Sequence, residues 1–143
     1  MKRTNTLILS IIMIIGILFA SAFPSSASEI SPRLSNCHEC TINFGIVDGT
    51  AHVVVGYTGK ADTFTQIKVT VKIQKRFLLV FWSTVDIGEP NNEWIATSTD
   101  LDGYLMGEFD VNSTGTYRAV FTIEVYGTGG VTDVMEETIE CTY

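Results

Sequence analysis

Positively charged side chains are scarce: 9 Lys and Arg stand against 16 Asp and Glu, a formal net charge of −7 over 143 residues. A chain this acidic does not neutralise a phosphate backbone, so nucleic-acid binding is excluded as its main task. With only His38 and His52, a catalytic triad has almost no choice of base. No serine sits in a G-x-S-x-G context, and no other nucleophile stands out. Charged residues of both signs reach only 17% against 45% hydrophobic, which excludes a disordered chain. Internal repeats, low-complexity tracts, phosphate loops and amphipathic helices are all missing. The expectation is a non-enzymatic protein with no cofactor and no metal.

One long uncharged run is present, and it opens the chain. Lys2 and Arg3 precede Leu7 to Phe23, which carries no charge and is almost wholly aliphatic as far as Phe19. That is the layout of a signal peptide. Two small-x-small sites follow, Ala20-Ser21-Ala22 and Ser25-Ser26-Ala27, and Pro24 just upstream favours cleavage after Ala27. The segment is too short for a comfortable membrane span. Leu34-Ser35-Asn36-Cys37 is a poor lipobox, because Glu29 and Arg33 separate it from the apolar stretch. We therefore expect a signal peptide over 1–27, a secreted protein, and no stable membrane anchor after processing. What remains carries 7 basic residues against 16 acidic, a net charge of −9. Acidity of that size keeps a protein soluble and repels anionic surfaces.

The rest of the chain reads at period two. Ile67, Val69, Val71 and Ile73 interleave with Lys68, Thr70, Lys72 and Gln74, which places the first set on a buried face and the second toward water. Tyr117, Ala119, Phe121, Ile123 and Val125 repeat the pattern. Ile42, Phe44 and Ile46, then Val53, Val55 and Tyr57, then Ile139, Cys141 and Tyr143, give shorter examples. Turn signals lie between them, with Asp48-Gly49 a strong hairpin turn. Strands are expected at 41–47, 51–57, 64–75, 79–87, 93–97 with 104–111, 116–126 and 131–142. Residues 28–40 show no periodicity and read as an N-terminal lead to a domain over 41–143. The fold class expected is all-β, an antiparallel sandwich of seven or eight strands. Gly115-Thr116-Tyr117 places a tyrosine at the start of a strand after a tight turn, where a tyrosine corner sits, and makes the sandwich immunoglobulin-like. Ala119 stands where antibody domains carry a cysteine.

Several short segments share a further likeness. Asp48-Gly49-Thr50-Ala51 opens a strand and Gly56-Tyr57-Thr58-Gly59 closes it. Ile67 through Ile73-Gln74-Lys75, Trp82-Ser83-Thr84-Val85 and Gly115-Thr116-Tyr117-Arg118 follow in order. Over roughly residues 41–140 the chain resembles a family of small, largely uncharacterised secreted proteins of Gram-positive bacteria. The resemblance implies a signal peptide and one β-sandwich domain, and no known activity. Glu89 to Asp110 departs from the family, being richer in acids and aromatics.

Three cysteines in an exported chain allow one disulfide and leave one thiol. Cys40 and Cys141, in the first and last strands, are the preferred pair; Cys37–Cys141 and Cys37–Cys40 are the alternatives. Cys37-His38-Glu39-Cys40 lacks the helix a redox Cys-x-x-C needs, and its zinc reading lacks ligands at recognisable spacing. Asp100-Leu101-Asp102-Gly103 resembles a calcium loop, but Ser98 and Phe109 occupy its first and twelfth positions, so a turn is expected instead.

Two surface features remain. Lys60, Lys68, Lys72, Lys75 and Arg76 gather most of the basic residues, and Lys68 and Lys72 share a strand face. They are either a polar sheet face opposite acidic strands or a recognition face for an anionic ligand. Phe77, Leu78, Leu79, Val80, Phe81 and Trp82 run without a polar residue across an expected hairpin, so they cannot all enter one core. The candidate interaction surface is therefore Lys68, Lys72, Phe77, Leu78, Phe81 and Trp82. The function expected is an extracellular module that binds a protein or glycan; the alternative is a secreted effector or antimicrobial protein acting on other cells.

Overall fold

β-Branched and aromatic residues at alternate positions favour a pleated strand with one face buried. The computed structural model, which describes residues 26–30 and 34–143, turns this pattern into nine strands. They are β1 (Ser26–Ile30), β2 (Cys37–Val47), β3 (Thr50–Gly59), β4 (Phe64–Phe77) and β5 (Phe81–Thr84), then β6 (Trp94–Ser98), β7 (Asp102–Asp110), β8 (Thr116–Gly127) and β9 (Thr132–Thr142). Among the described residues the only helical turn is a short 3₁₀ segment at Pro90–Asn92. The signal peptide expected over 1–27 lies outside the described residues, apart from Ser26 and Ala27.

The strands form two antiparallel sheets. One runs β1-β2-β3-β7; the other runs β5-β4-β8-β9, with β6 also paired to β4. Their facing sides share one core. Ile67, Val69, Val71 and Ile73 are fully buried, as are Ala119, Phe121, Ile123 and Val125 opposite them in register. Phe44, Val53 and Val55 close the core from the other sheet. Each large apolar side chain taken out of water here contributes about 1.5–3 kcal/mol. Tyr143, the last residue, stays 37% exposed, with its hydroxyl close to the Gly49 turn of the other sheet.

The strand count is nine rather than seven or eight. The difference is β1, which pairs with β2 from Ser26↔Phe44 to Ile30↔Cys40. The segment reads Ser-Ala-Ser-Glu-Ile, which carries no run of alternating large apolar residues to mark a strand. The stretch taken as a lead, 28–40, also contains the first four residues of β2.

Two local features set the ends of the core. Tyr117 Oη donates to the carbonyl of Ser113 four residues upstream, the bond that defines a tyrosine corner. At the other end Asn36 is the one buried polar residue among those described. Its Nδ2 donates to Val125 O at 3.2 Å and Val131 O at 3.0 Å, while its own N–H and that of Ser35 donate to Asp133. The start of β2 is thereby fastened across the core to the β8–β9 turn.

Candidate functional site

β4 continues past the core. Ile73 is its last fully buried residue, and the strand runs four residues further before turning into β5. The pairs Arg76↔Trp82 and Phe77↔Phe81 carry the hairpin to its tip. There Phe77, Leu78, Leu79, Val80 and Phe81 are 59%, 69%, 85%, 72% and 62% exposed. Five consecutive apolar side chains thus stand in water at one end of the molecule. Contiguous apolar patches are a general feature of interaction surfaces.

The turn itself is strained. Leu78 and Leu79 sit at φ 47° and 68°, and Val80 N–H closes back on Leu78 O at 2.9 Å. Bulky L-residues pay about 1–2 kcal/mol each for left-handed backbone, where Asn or Gly would sit freely.

Cations ring the base of this hairpin. Trp82 has two guanidinium groups against its ring, Arg76 at 4.9 Å and Arg118 at 4.3 Å from the ring centre. Arg118 is held in place by Gln74 Oε1, which accepts from its Nε at 2.7 Å. Lys75 Nζ stands 5.3 Å from the Tyr117 ring and donates to Ser113 Oγ. A pocket of about 290 Å³ opens here, lined by Lys75, Arg76, Phe77, Ser83, Thr84 and Val85.

Lys68 and Lys72 behave differently from this collar. Lys68 Nζ meets Glu124 at 2.7 Å on the neighbouring strand, and Lys72 Nζ meets Glu93 at 2.7 Å. The hydrogen bond that Lys68 Nζ donates to Glu124 holds the Lys68 pKa above its ordinary value. The same bond, with a second from Tyr126 Oη, holds the Glu124 carboxyl below its own. These two lysines are parts of cross-strand ion pairs, and the structure does not bring them together with the apolar tip. The sequence missed Arg118, whose place in the collar follows from the register Gln74↔Arg118.

The cysteine expectation requires correction. Cys37, Cys40 and Cys141 are all free and buried, so the Cys40–Cys141 bridge is not formed. The reason is geometric. Asn36 at the start of β2 meets Asp133 at the start of β9, while Gly49 beyond the end of β2 lies near Tyr143 beyond the end of β9. β2 and β9 therefore run the same way, and Cys40 and Cys141 stand at different levels. The offset is about five residues, or roughly 16 Å, against the ~7 Å that limits a disulfide's Cα separation. Cys37 and Cys40 do come onto one face. A bulge between Cys37 and Glu39 inserts His38, so residues three apart both point inward. Cys37 Sγ donates to Glu39 O at 2.8 Å and Thr58 O at 3.0 Å. Burial pushes the Cys40 thiol up to about 12, aided by Cys37 and Glu39, and pushes Cys141 up to about 11.

Asp100 lies in the β6–β7 connection, where its N–H donates to Ser98 Oγ at 3.1 Å, as a turn requires. Among the described residues no three His, Cys, Asp or Glu side chains gather as a metal site. On the outer face of the β2-β3-β7 sheet a cleft of about 150 Å³ is lined by Glu39, Thr41, Thr58, Asp102 and Tyr104 over Gly56. A Cβ on Gly56 would stand 2.7 Å from Thr41 Oγ1, so glycine keeps that floor open. A glycine inside a strand was the sequence signal for it. No helix among the described residues is long and apolar enough to cross a membrane. No protein-family model matches the chain, and no curated protein matches it either.

Proposed function

We propose that the chain is exported, loses residues 1–27 and works outside the cell as a non-enzymatic, immunoglobulin-like β-sandwich module. On this proposal it belongs with the small secreted proteins of Gram-positive bacteria that it resembles. Its working surface is the β4–β5 hairpin, through which it binds an extracellular protein or glycan. One observation carries the reading: five consecutive apolar side chains are held in water on a strained turn beyond the core. Strain maintained at an exposed tip points to use, since Asn or Gly at the same two positions would remove it. A second reading, a secreted effector acting on other cells, is favoured by the absence of any polar side chain from Phe77 to Phe81.

Retention on intact Gram-positive cells tests the module. Labelled leaderless protein should be retained after washing, and a Leu78→Asn/Leu79→Gly variant should lose most of that retention. Equal retention of the two would place the binding surface elsewhere. Dye leakage from vesicles separates the second reading: leakage abolished by Phe81→Ser supports an effector, and no leakage supports a module.

A further inference from the structure

The hairpin presents two chemistries that one partner has to satisfy together. Its tip is apolar from Phe77 to Phe81. Directly beneath, Lys75 faces Ser83 and Gln74 faces Thr84 across the ladder, around the pocket lined by Lys75 and Arg76. Arg118 reaches the same base from β8, against Trp82. On the outer face the carboxylate is Glu140, which pairs with Arg76 at 3.1 Å and stands opposite Arg118 in register, while Lys75, one residue back along β4, projects from the other face of the hairpin against Tyr117. A small soluble anion would fill the pocket and leave the tip in water. A protein groove that is apolar throughout would cover the tip and leave the cations unmatched.

An anionic phospholipid bilayer meets both, with acyl chains around the leucines and headgroup phosphates at the cations and hydroxyls. We infer that the hairpin docks reversibly on an anionic lipid surface, Leu78 and Leu79 entering the acyl boundary while Lys75, Arg76 and Arg118 bind phosphate. This rests on the hairpin being the working surface, as proposed above. The acidity of the molecule as a whole does not oppose it at physiological salt, where charges beyond about 8 Å are screened and the local collar dominates. Apolar insertion supported by basic residues is the usual composition of a peripheral membrane contact.

Vesicle sedimentation tests the inference with the leaderless protein, which keeps every core residue from Cys37 to Cys141. Vesicles of phosphatidylcholine with phosphatidylglycerol should pull the protein down, and phosphatidylcholine alone should bind at least ~10-fold more weakly. Leu78→Asn/Leu79→Gly relieves the turn and so still folds, yet should lose roughly 100-fold in vesicle affinity. Trp82 fluorescence should shift to the blue on binding, and glycerol phosphate in solution should not reproduce that shift. Equal binding to both vesicle types, equal binding by the variant, or a shift with glycerol phosphate alone would each overturn the inference. So would a concentration-dependent dimer lost in the variant, which would assign the tip to a second copy. If vesicles fail while retention on cells still needs Leu78 and Leu79, the lipid inference falls and the module stands. If neither depends on the hairpin, both fall.

Discussion

Asn36 occupies the space a side chain on Gly127 would need: a Cβ built on Gly127 stands 1.9 Å from Asn36 Oδ1. Asn36 immediately precedes β2 of one sheet and Gly127 ends β8 of the other, and their fit lets the buried amide reach Val125 O and Val131 O. The amide closes the end of the core by binding Val125 O and by adding a second donor to Val131 O, which also accepts from Gly127 N–H.

Gly127→Ala should therefore displace the Asn36 amide and cost about 2–4 kcal/mol, combining a steric clash with the loss of the amide's two hydrogen bonds. Asn36→Leu should cost a similar amount, and the double variant less than the sum, since both remove one arrangement. Urea unfolding measures all three. A Gly127→Ala loss under about 0.5 kcal/mol would disprove the account.

At the opposite end, Tyr117→Phe removes only the hydroxyl that donates to Ser113 O. The ring keeps its burial and its contact with Lys75, so the loss should be about 1 kcal/mol. Far-UV circular dichroism should be unchanged, and the melting temperature should fall by a few degrees.

The thiols should be inert in the folded protein. Cys40 at about 12 and Cys141 at about 11 leave almost no thiolate at pH 8, and both are buried. Iodoacetamide should label none in the native state and three after denaturation without reductant. The same shifts set an alkaline limit. Below pH 9 both states hold the protons and the thiols add no pH dependence. Above it the unfolded chain ionises first, so stability falls with rising pH until the folded thiols titrate near 11 and 12. A stability curve flat from pH 8.5 to 11 under reducing conditions would contradict this.

Leu78→Asn/Leu79→Gly should raise stability by about 1–2 kcal/mol, because those residues accept positive φ. Thermal melts should show the gain. A loss would mean the leucines contribute packing absent from the structure.

Legibility in the sequence followed side-chain periodicity. β4 and β8 were readable residue by residue, because one face of each is wholly buried and period two leaves no ambiguity. The apolar hairpin was readable for the opposite reason, since Phe77 to Trp82 breaks the alternation and cannot all be core. β1 was hidden because Ser-Ala-Ser-Glu-Ile offers small and polar residues in place of an alternating apolar face. The cysteine arrangement was hidden by one inserted residue: without the bulge at His38, Cys37 and Cys40 would face opposite sides of β2. The bridge expected between Cys40 and Cys141 failed on strand direction, which no count of cysteines reveals. Lys68 and Lys72 were identified as sharing a face, but their partners Glu124 and Glu93 depend on which strands flank β4.

The ladder between β1 and β2 starts at Ser26, one residue before the expected cleavage point. Removal of residues 1–27 would strip the rungs opposite Phe44 and Asn43 and leave β1 three residues long. The freed flank of β2 would then offer unpaired amides and carbonyls at a stretch that the precursor keeps occupied. On the proposed maturation the edge of this sheet would thus pass in part from β1 to β2, and another extended segment could complete it there.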